Sequence, residues 1–123
     1  MKTVSTKKAP AAIGPYSQAI IVESMVYTSG QIPIDPETGA LQGSDIVSQT
    51  EQTIKNLTAI MNAAGSSIEK AFKTTCYLKD IRDFAAFNAV YEKYFTGKPA
   101  RSCVEVSALP KGALVEIEVI ALI

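Results

Sequence analysis

The strongest constraint on the fold lies in the last strand that the sequence predicts, residues 114–122. Side chains along a strand alternate between two faces, and here both rows contain apolar residues. One row consists of Val115, Ile117, Val119 and Ala121. Ile120 and Leu122 lie on the other row, and the run 19–22 near the amino end is likewise apolar on both rows. A strand that is buried on both faces needs cover on both faces.

A single layer of helices covers only one face of such a sheet. Extended apolar surface that is left over marks an interface, most simply with another copy of the same chain. We therefore expect a homo-oligomer whose sheets pack together. The pattern itself leaves the number of subunits open.

Hydrophobic spacing predicts the order β-β-α-β-α-β-β along a single domain, residues 1–123. The strands are expected over residues 17–23, 25–29, 71–79, 101–109 and 114–122. The first helix begins at an N-cap offered by Ser44 and Asp45 and closes at Gly65. The second helix, capped by Asp80 or Asp83, carries one apolar stripe formed by Phe84, Phe87, Val90, Tyr91 and Tyr94. The fold class is thus α+β, a largely antiparallel sheet with two helices on one face.

Composition restricts the chemistry. The chain contains no histidine, which excludes Ser-His and Cys-His dyads, paired-histidine metal sites and imidazole bases. Two cysteines, Cys76 and Cys103, do not form a zinc site alone, and we expect free thiols and no metal or cofactor. The 12 basic and 12 acidic residues cancel, whereas nucleic-acid binders usually carry a basic excess. With no membrane-length apolar run and no signal sequence, we expect no membrane partner and a cytoplasmic location.

The chain has two arginines, and only Arg101 is a candidate for chemistry. Arg82 stands among charges near the second helix and is interpreted as a solvated surface residue. Arg101 opens a mostly apolar strand, where a guanidinium needs an anionic partner or must stay at the edge in water. Two readings stay open: an ion pair with a glutamate of this chain or an interface, or a bidentate clamp on the carboxylate of a small molecule.

The glutamates of the last strand are the candidate acid-base groups. Glu116 near Arg101 could orient a water or shuttle protons if burial tunes its pKa, whereas Glu118 is interpreted as part of a solvated sheet edge. Cys103 shares a strand face with Arg101. With no imidazole available as a base, Cys103 is expected to line a pocket or pack in the core rather than act as a nucleophile.

Two loop segments offer further polar groups. Tyr16 follows Gly14 and Pro15, and its hydroxyl either serves a ligand or its ring covers the core edge. Ser29 and Gly30 end a strand with permissive backbone that could aim an N–H or C=O at a ligand, although a plain turn explains the pair equally well.

Taken together, the segments resemble the RidA/YjgF family of reactive-intermediate deaminases. The matching stretches are residues 9–18, 28–33, 52–57, 63–65, 73–75, 79–80, 84–91, 99–106, 109–111 and 116–121. They occur in order over nearly the whole chain. The block Pro-Ala-Arg-Ser-Cys-Val-Glu-Val at 99–106 is similar to the signature of the RidA branch.

The resemblance implies a chorismate mutase-like fold and a homotrimer whose sheets form a central barrel, with active sites between subunits. It implies hydrolysis of 2-iminopropanoate or 2-iminobutanoate to the 2-keto acid and ammonia, without metal or cofactor. Arg101 would clamp the substrate carboxylate, and Glu116 would hold or activate the attacking water. Residues implied to line the pocket are Tyr16, Ser29, Gly30, Asn88 and Cys103, the last mainly through its backbone.

Family members have also been described as ribonucleases and as regulatory binding partners. The absence of histidine and of a basic excess argues against nucleic-acid cleavage here. A module that binds a small carboxylate without turning it over is the stronger alternative. Substitution of Glu116 by glutamine separates the two, because only a hydrolase should lose rate.

Overall fold

The computed structural model describes residues 1–123 as one six-stranded sheet with two α-helices. In chain order the elements are β1 Lys2–Val4, β2 Ala19–Val22, β3 Met25–Thr28, α1 Ile46–Ala63, β4 Ala71–Leu78, α2 Phe84–Tyr94, β5 Ala100–Glu105 and β6 Val115–Leu122. Three short 3₁₀ turns occupy Ile68–Lys70, Ile81–Asp83 and Pro110–Gly112. The predicted α+β class and the order of the seven expected elements are confirmed, and β1 is an additional strand at the amino end.

The sheet runs in the order β1-β2-β3-β6-β4-β5 and is antiparallel except at one edge. There β4 and β5 pair in parallel, with Thr74 opposite Arg101 and Cys76 opposite Cys103. Helix α2 makes the crossover that a parallel pair requires. The strand expected over 101–109 is shorter than predicted, because after Glu105 the chain leaves the sheet and turns at Pro110–Gly112.

Helix α1 begins and ends where local chemistry predicts. The Asp45 carboxylate accepts a hydrogen bond from the Ser48 backbone N–H at 2.8 Å, which satisfies one of the free donors of the first turn. At the other end Gly65 adopts φ +80°, the left-handed conformation that glycine reaches at little cost. Asp80 caps the 3₁₀ turn before α2, whereas Asp83 stands at the N-cap of α2 without a side-chain hydrogen bond.

One hydrophobic core lies between the sheet and both helices. The buried row of β6 is the one that the sequence predicts, Val115, Ile117, Val119 and Ala121, each at most 1% exposed. It packs in one cluster with the apolar side of α1 and with Phe87, Val90 and Tyr91 of α2. Neither helix has the length and apolar character of a membrane span.

The opposite side of the sheet, called the open face below, carries no helix. Its apolar side chains run across three strands in register, Ile20 of β2 beside Tyr27 of β3 beside Ile120 of β6. Val22, Tyr27 and Leu122 are 38%, 37% and 49% exposed, which is high for large apolar residues in a sheet. The second apolar row of the sequence is therefore present as an uncovered surface of the single chain.

Candidate active site

Arg101 lies on the edge strand β5 and points to the helical side of the sheet. Its register partner is the buried Thr74, and its Nη1 donates a hydrogen bond of 2.7 Å to Oδ1 of Asn88 on α2. The side chain is half-buried. The parallel β4–β5 pair and the crossover helix thus bring two predicted site residues, Asn88 and Arg101, into direct contact.

Aromatic rings surround the Arg101 guanidinium. Its central carbon lies 4.8 Å from the ring centre of Tyr91, 5.5 Å from that of Phe84 and 6.0 Å from that of Phe87. A ring face attracts a cation and, unlike a carboxylate, leaves its N–H donors free. These rings come from the helical stripe, which the sequence indicated as core without connecting it to the arginine.

No carboxylate of the chain pairs with Arg101. The ion pairs present are Arg82 with Asp80 at 2.6 Å and Lys93 with Glu51 at 2.9 Å. Glu105, one candidate partner, instead accepts a hydrogen bond from the Ile81 backbone N–H at 2.9 Å. An ion pair within the chain is therefore wrong for Arg101. A guanidinium has five N–H donors, so several remain available to an anion from outside the chain.

Cys103 lies beside Arg101 on the same face, opposite Cys76 on β4. Both thiols are free. Burial raises the pKa of Cys103, although the charge of Arg101 acts in the opposite direction, and burial raises the pKa of Cys76 to about 12. Both sulfurs are thus protonated at neutral pH, and a protonated thiol is a poor nucleophile. This geometry favours the lining role predicted for Cys103.

Glu116 lies on β6 between Val115 and Ile117 and therefore points to the open face. Burial raises its pKa, and the negative charge of Glu118 on the same face raises it further. A half-buried carboxyl with a raised pKa holds and releases a proton closer to neutral pH than an ordinary glutamate does.

Gly30 packs directly against Glu116. A Cβ placed on Gly30 would lie 2.8 Å from both Cδ and Oε2 of Glu116, which is closer than real contacts allow. The following residue, Gln31, pairs with Ile117 through two backbone hydrogen bonds of 2.9 and 3.0 Å, and these hold the segment against β6. Glycine at position 30 therefore leaves the space that the Glu116 carboxylate occupies, and a side chain there would displace that carboxylate.

Ser29 and Tyr16 belong to the same region as Glu116. The Ser29 hydroxyl donates to the Ser17 carbonyl at 2.6 Å, and the Ser29 backbone N–H donates to the Gln18 carbonyl at 2.9 Å. These bonds connect the end of β3 to the loop that presents Tyr16, which is 53% exposed. Ser29 and Gly30 thus link Glu116 to the segment that directly follows Tyr16.

Sequence reasoning missed the residue that holds this loop in place. Gln18 is 3% exposed, and its amide accepts from the Thr6 N–H at 2.7 Å and donates to the carbonyls of Thr6 and Pro10 at 3.0 and 2.7 Å. It ties the amino-terminal arm to β2 beside Tyr16. An isolated glutamine gives no periodic signal, so only its place in the matched stretch 9–18 could have indicated it.

The predicted site residues therefore lie in two separate clusters within one chain, which are called the arginine half-site and the carboxylate half-site below. Asn88, Arg101 and Cys103 make the arginine half-site on the helical side of the sheet. Ser29, Gly30 and Glu116 make the carboxylate half-site, and Tyr16 lies next to Ser17, to which Ser29 is hydrogen-bonded. The chain does not bring Arg101 and Glu116 together. A groove of about 990 Å³ along α1 and the 35–42 loop contains none of these residues.

Comparison with known proteins gives matches over nearly the whole chain. A family model described as Endoribonuclease L-PSP matches residues 6–123. The 2-iminobutanoate/2-iminopropanoate deaminase of Salmonella typhimurium is 52% identical over 98% of this chain and 96% of its own. The crystal structure of the Escherichia coli YjgF gene product is 48% identical, with a TM-score of 0.94 over 99% of this chain and 98% of that one. Escherichia coli TdcF with bound serine is 43% identical, with a TM-score of 0.95 over 100% and 99%.

Proposed function

Because this chain belongs to the RidA/YjgF family, whose model bears the description Endoribonuclease L-PSP, we propose that it hydrolyses reactive 2-imino acids to 2-keto acids and ammonia. The observation that carries the proposal is the arginine half-site. A half-buried guanidinium with free N–H donors and no internal counter-ion matches a small carboxylate. A 2-imino acid supplies that carboxylate next to its reactive C=N bond.

We propose further that the active form is a homotrimer with its sites between subunits. The open face exposes large apolar residues on β2, β3 and β6, which a second copy would cover. A neighbouring copy is also the simplest source of the missing half of each site, because Arg101 and Glu116 lie on opposite faces of one sheet. In a ring of three copies, each boundary would place one arginine half-site against one carboxylate half-site.

The proposed reaction uses side chains and water alone. Arg101 holds the substrate carboxylate through two parallel N–H bonds, and Asn88 holds the guanidinium from the other side. Glu116 takes a proton from a water whose oxygen attacks C2 of the imine, and the C=N bond becomes a C–N single bond. Glu116 passes this proton to the nitrogen, which gives a hydroxyl and an amino group on C2. Glu116 then moves the hydroxyl proton to the amino nitrogen, which becomes a leaving group. Ammonia leaves as the C2–oxygen bond becomes the carbonyl of the 2-keto acid.

The demands on the protein are modest, since an activated imine already hydrolyses in water. Each tenfold of rate corresponds to about 1.4 kcal/mol of barrier. Holding the carboxylate and the attacking water in one geometry supplies such amounts through proximity and orientation. The raised pKa of Glu116 suits the proton transfers, because a base is most effective when its pKa lies near the working pH.

The test is a coupled assay in which a dehydratase generates the 2-imino acid and semicarbazide traps what is not hydrolysed. Wild type is compared with Arg101→Ala and with Arg82→Ala, which removes the exposed arginine paired with Asp80. We expect wild type and Arg82→Ala to lower the trapped fraction and a trimeric Arg101→Ala to leave it unchanged. If the wild-type protein does not lower the trapped fraction of any imine tested, the hydrolase proposal is wrong. Binding of 2-oxobutanoate without turnover would then indicate a ligand-binding module.

A further inference from the structure

Tyr91 contacts Arg101 more closely than any other ring does, yet it is not among the residues assigned to the site. The distance from the guanidinium carbon to the Tyr91 ring centre is 4.8 Å. Tyr91 lies three residues after Asn88 on α2, so both side chains project from the same side of the helix. One helical face therefore supplies both the hydrogen-bond acceptor and the nearest ring of Arg101.

The Tyr91 ring is held at its edge and at its face. Its hydroxyl forms a 2.7 Å hydrogen bond with Oγ1 of Thr74, which is 1% exposed. Phe95 stacks on the ring, with ring centres 4.3 Å apart and planes inclined by 20°. A side chain with these contacts has little rotational freedom, so it provides a rigid support for the cation.

The Thr74–Tyr91 hydrogen bond joins the two elements that flank Arg101, strand β4 and helix α2. Thr74 is the register partner of Arg101 on the adjacent strand, and Tyr91 belongs to the helix that spans the two strands. The bond thus joins α2 to the strand beside Arg101, at the level of Arg101 itself. A shift of α2 would move the Asn88 acceptor and the Tyr91 ring together relative to the guanidinium.

We propose that Tyr91 is a positioning residue for Arg101, and that its hydrogen bond with Thr74 orients the guanidinium toward the substrate carboxylate. This inference rests on the proposed function. The hydroxyl acts through Arg101 and does not touch the substrate. Core packing alone requires an apolar ring at position 91, which phenylalanine would supply, and gives no role to the buried hydroxyl pair.

The test compares Tyr91→Phe and Thr74→Val, which remove the same hydrogen bond from its two ends while keeping the shape of each side chain. We expect each variant to raise KM for the imine about fivefold, the value of one net hydrogen bond, with kcat changed less than about twofold. The double variant should show the effect of one single variant, because both lose one shared interaction. The dissociation constant of 2-oxobutanoate should rise with KM.

Tyr94→Phe is the matched control. Tyr94 lies on the same helix, and its hydroxyl bonds to Glu51 rather than to a neighbour of Arg101. Tyr94→Phe should therefore leave KM unchanged even if it lowers the melting temperature. If Tyr91→Phe and Thr74→Val lower the melting temperature but leave KM and product binding unchanged, the bond is structural only and the inference is wrong. If wild type itself neither hydrolyses imines nor binds the keto acid, the proposed function fails before this comparison begins.

Discussion

Arg101 and Glu116 lie on opposite faces of one sheet, although both are candidates for the same reaction. Arg101 of β5 is hydrogen-bonded to Asn88 on the helical side, and Glu116 of β6 alternates with the buried residues of that side and so points away from it. No side-chain rotation brings two such groups together through a sheet. A site that uses both must therefore take them from two copies of the chain, and this requirement yields the first prediction.

In the proposed homotrimer, mixed assemblies of two variants that are each expected to be inactive should regain activity. Arg101→Ala and Glu116→Gln are co-expressed with different tags and purified over both tags, so that every trimer contains both variants. Each mixed trimer then has one intact boundary, and the turnover per trimer should be about one third of wild type. Trimers that carry two tags on the same variant are the control and should stay inactive. No recovery in the mixed trimers would show that the two groups do not act across a boundary.

Arg101→Lys should impair the site although it keeps the positive charge. An ammonium cannot form two parallel bonds to a carboxylate, and it loses the flat stacking surface that faces Tyr91. We expect kcat/KM for the imine to fall on the order of 100-fold, with weaker binding of 2-oxobutanoate in calorimetry. The Arg82 side chain is 88% exposed, so the control variant Arg82→Lys should behave as wild type. Full activity in Arg101→Lys would contradict the fork-like contact.

The rate should fall on the acid side as Glu116 takes up its proton. The base must be ionised to accept a proton from water, and burial together with Glu118 raises its pKa, so hydrolysis is lost as the pH falls through that raised value. Glu118→Gln removes the neighbouring negative charge. It should lower the pKa of Glu116 and move the acid limb of the kcat profile to lower pH. Glu92→Gln, an exposed change on α2, should leave the limb in place. If the acid limb of the kcat profile does not move in Glu118→Gln, the group that titrates is not Glu116.

Gly30→Ala should damage catalysis more than folding. The added methyl group would lie 2.8 Å from Cδ and Oε2 of Glu116, and the flexible glutamate is the part that moves. We expect kcat to fall about tenfold through a misplaced base, with the melting temperature within a few degrees of wild type. Gly39→Ala should give the opposite result, a lower melting temperature with normal kcat, because Gly39 has φ +74° and a Cβ added there would have no neighbour within 4 Å. If Gly30→Ala has the same kcat as wild type, Gly30 does not control the position of the Glu116 base.

Local sequence patterns predict much of the fold. The alternation in residues 115–121 predicts the buried row of β6, and the aspartate and glycine at the ends of α1 act as their chemistry indicates. The short strand β1 was missed because three residues do not establish a period. The parallel pairing of β4 with β5 was also missed, since strand direction depends on where the crossover helix packs and not on the strands themselves.

The candidate site divides in the same way. Composition alone excludes histidine chemistry, and the isolated Arg101 in an apolar strand leaves two interpretations open, an ion pair and a carboxylate clamp. The aromatic surround of Arg101 could not be predicted, because Phe84, Phe87 and Tyr91 have the spacing of an ordinary core stripe. The contact of Gly30 with Glu116 joins residues far apart in the chain, and no local pattern encodes it.

Composition and hydrophobic spacing predict the available chemical groups, the two helices and a second apolar face. Composition needs only a count of residues, and hydrophobic spacing depends only on residues close together in the chain. Which groups meet follows from the packed fold. It places Asn88 on Arg101 and Gly30 on Glu116, and it separates the two pairs across the sheet. Those relations depend on strand order and register, which are set when the whole chain packs around one core.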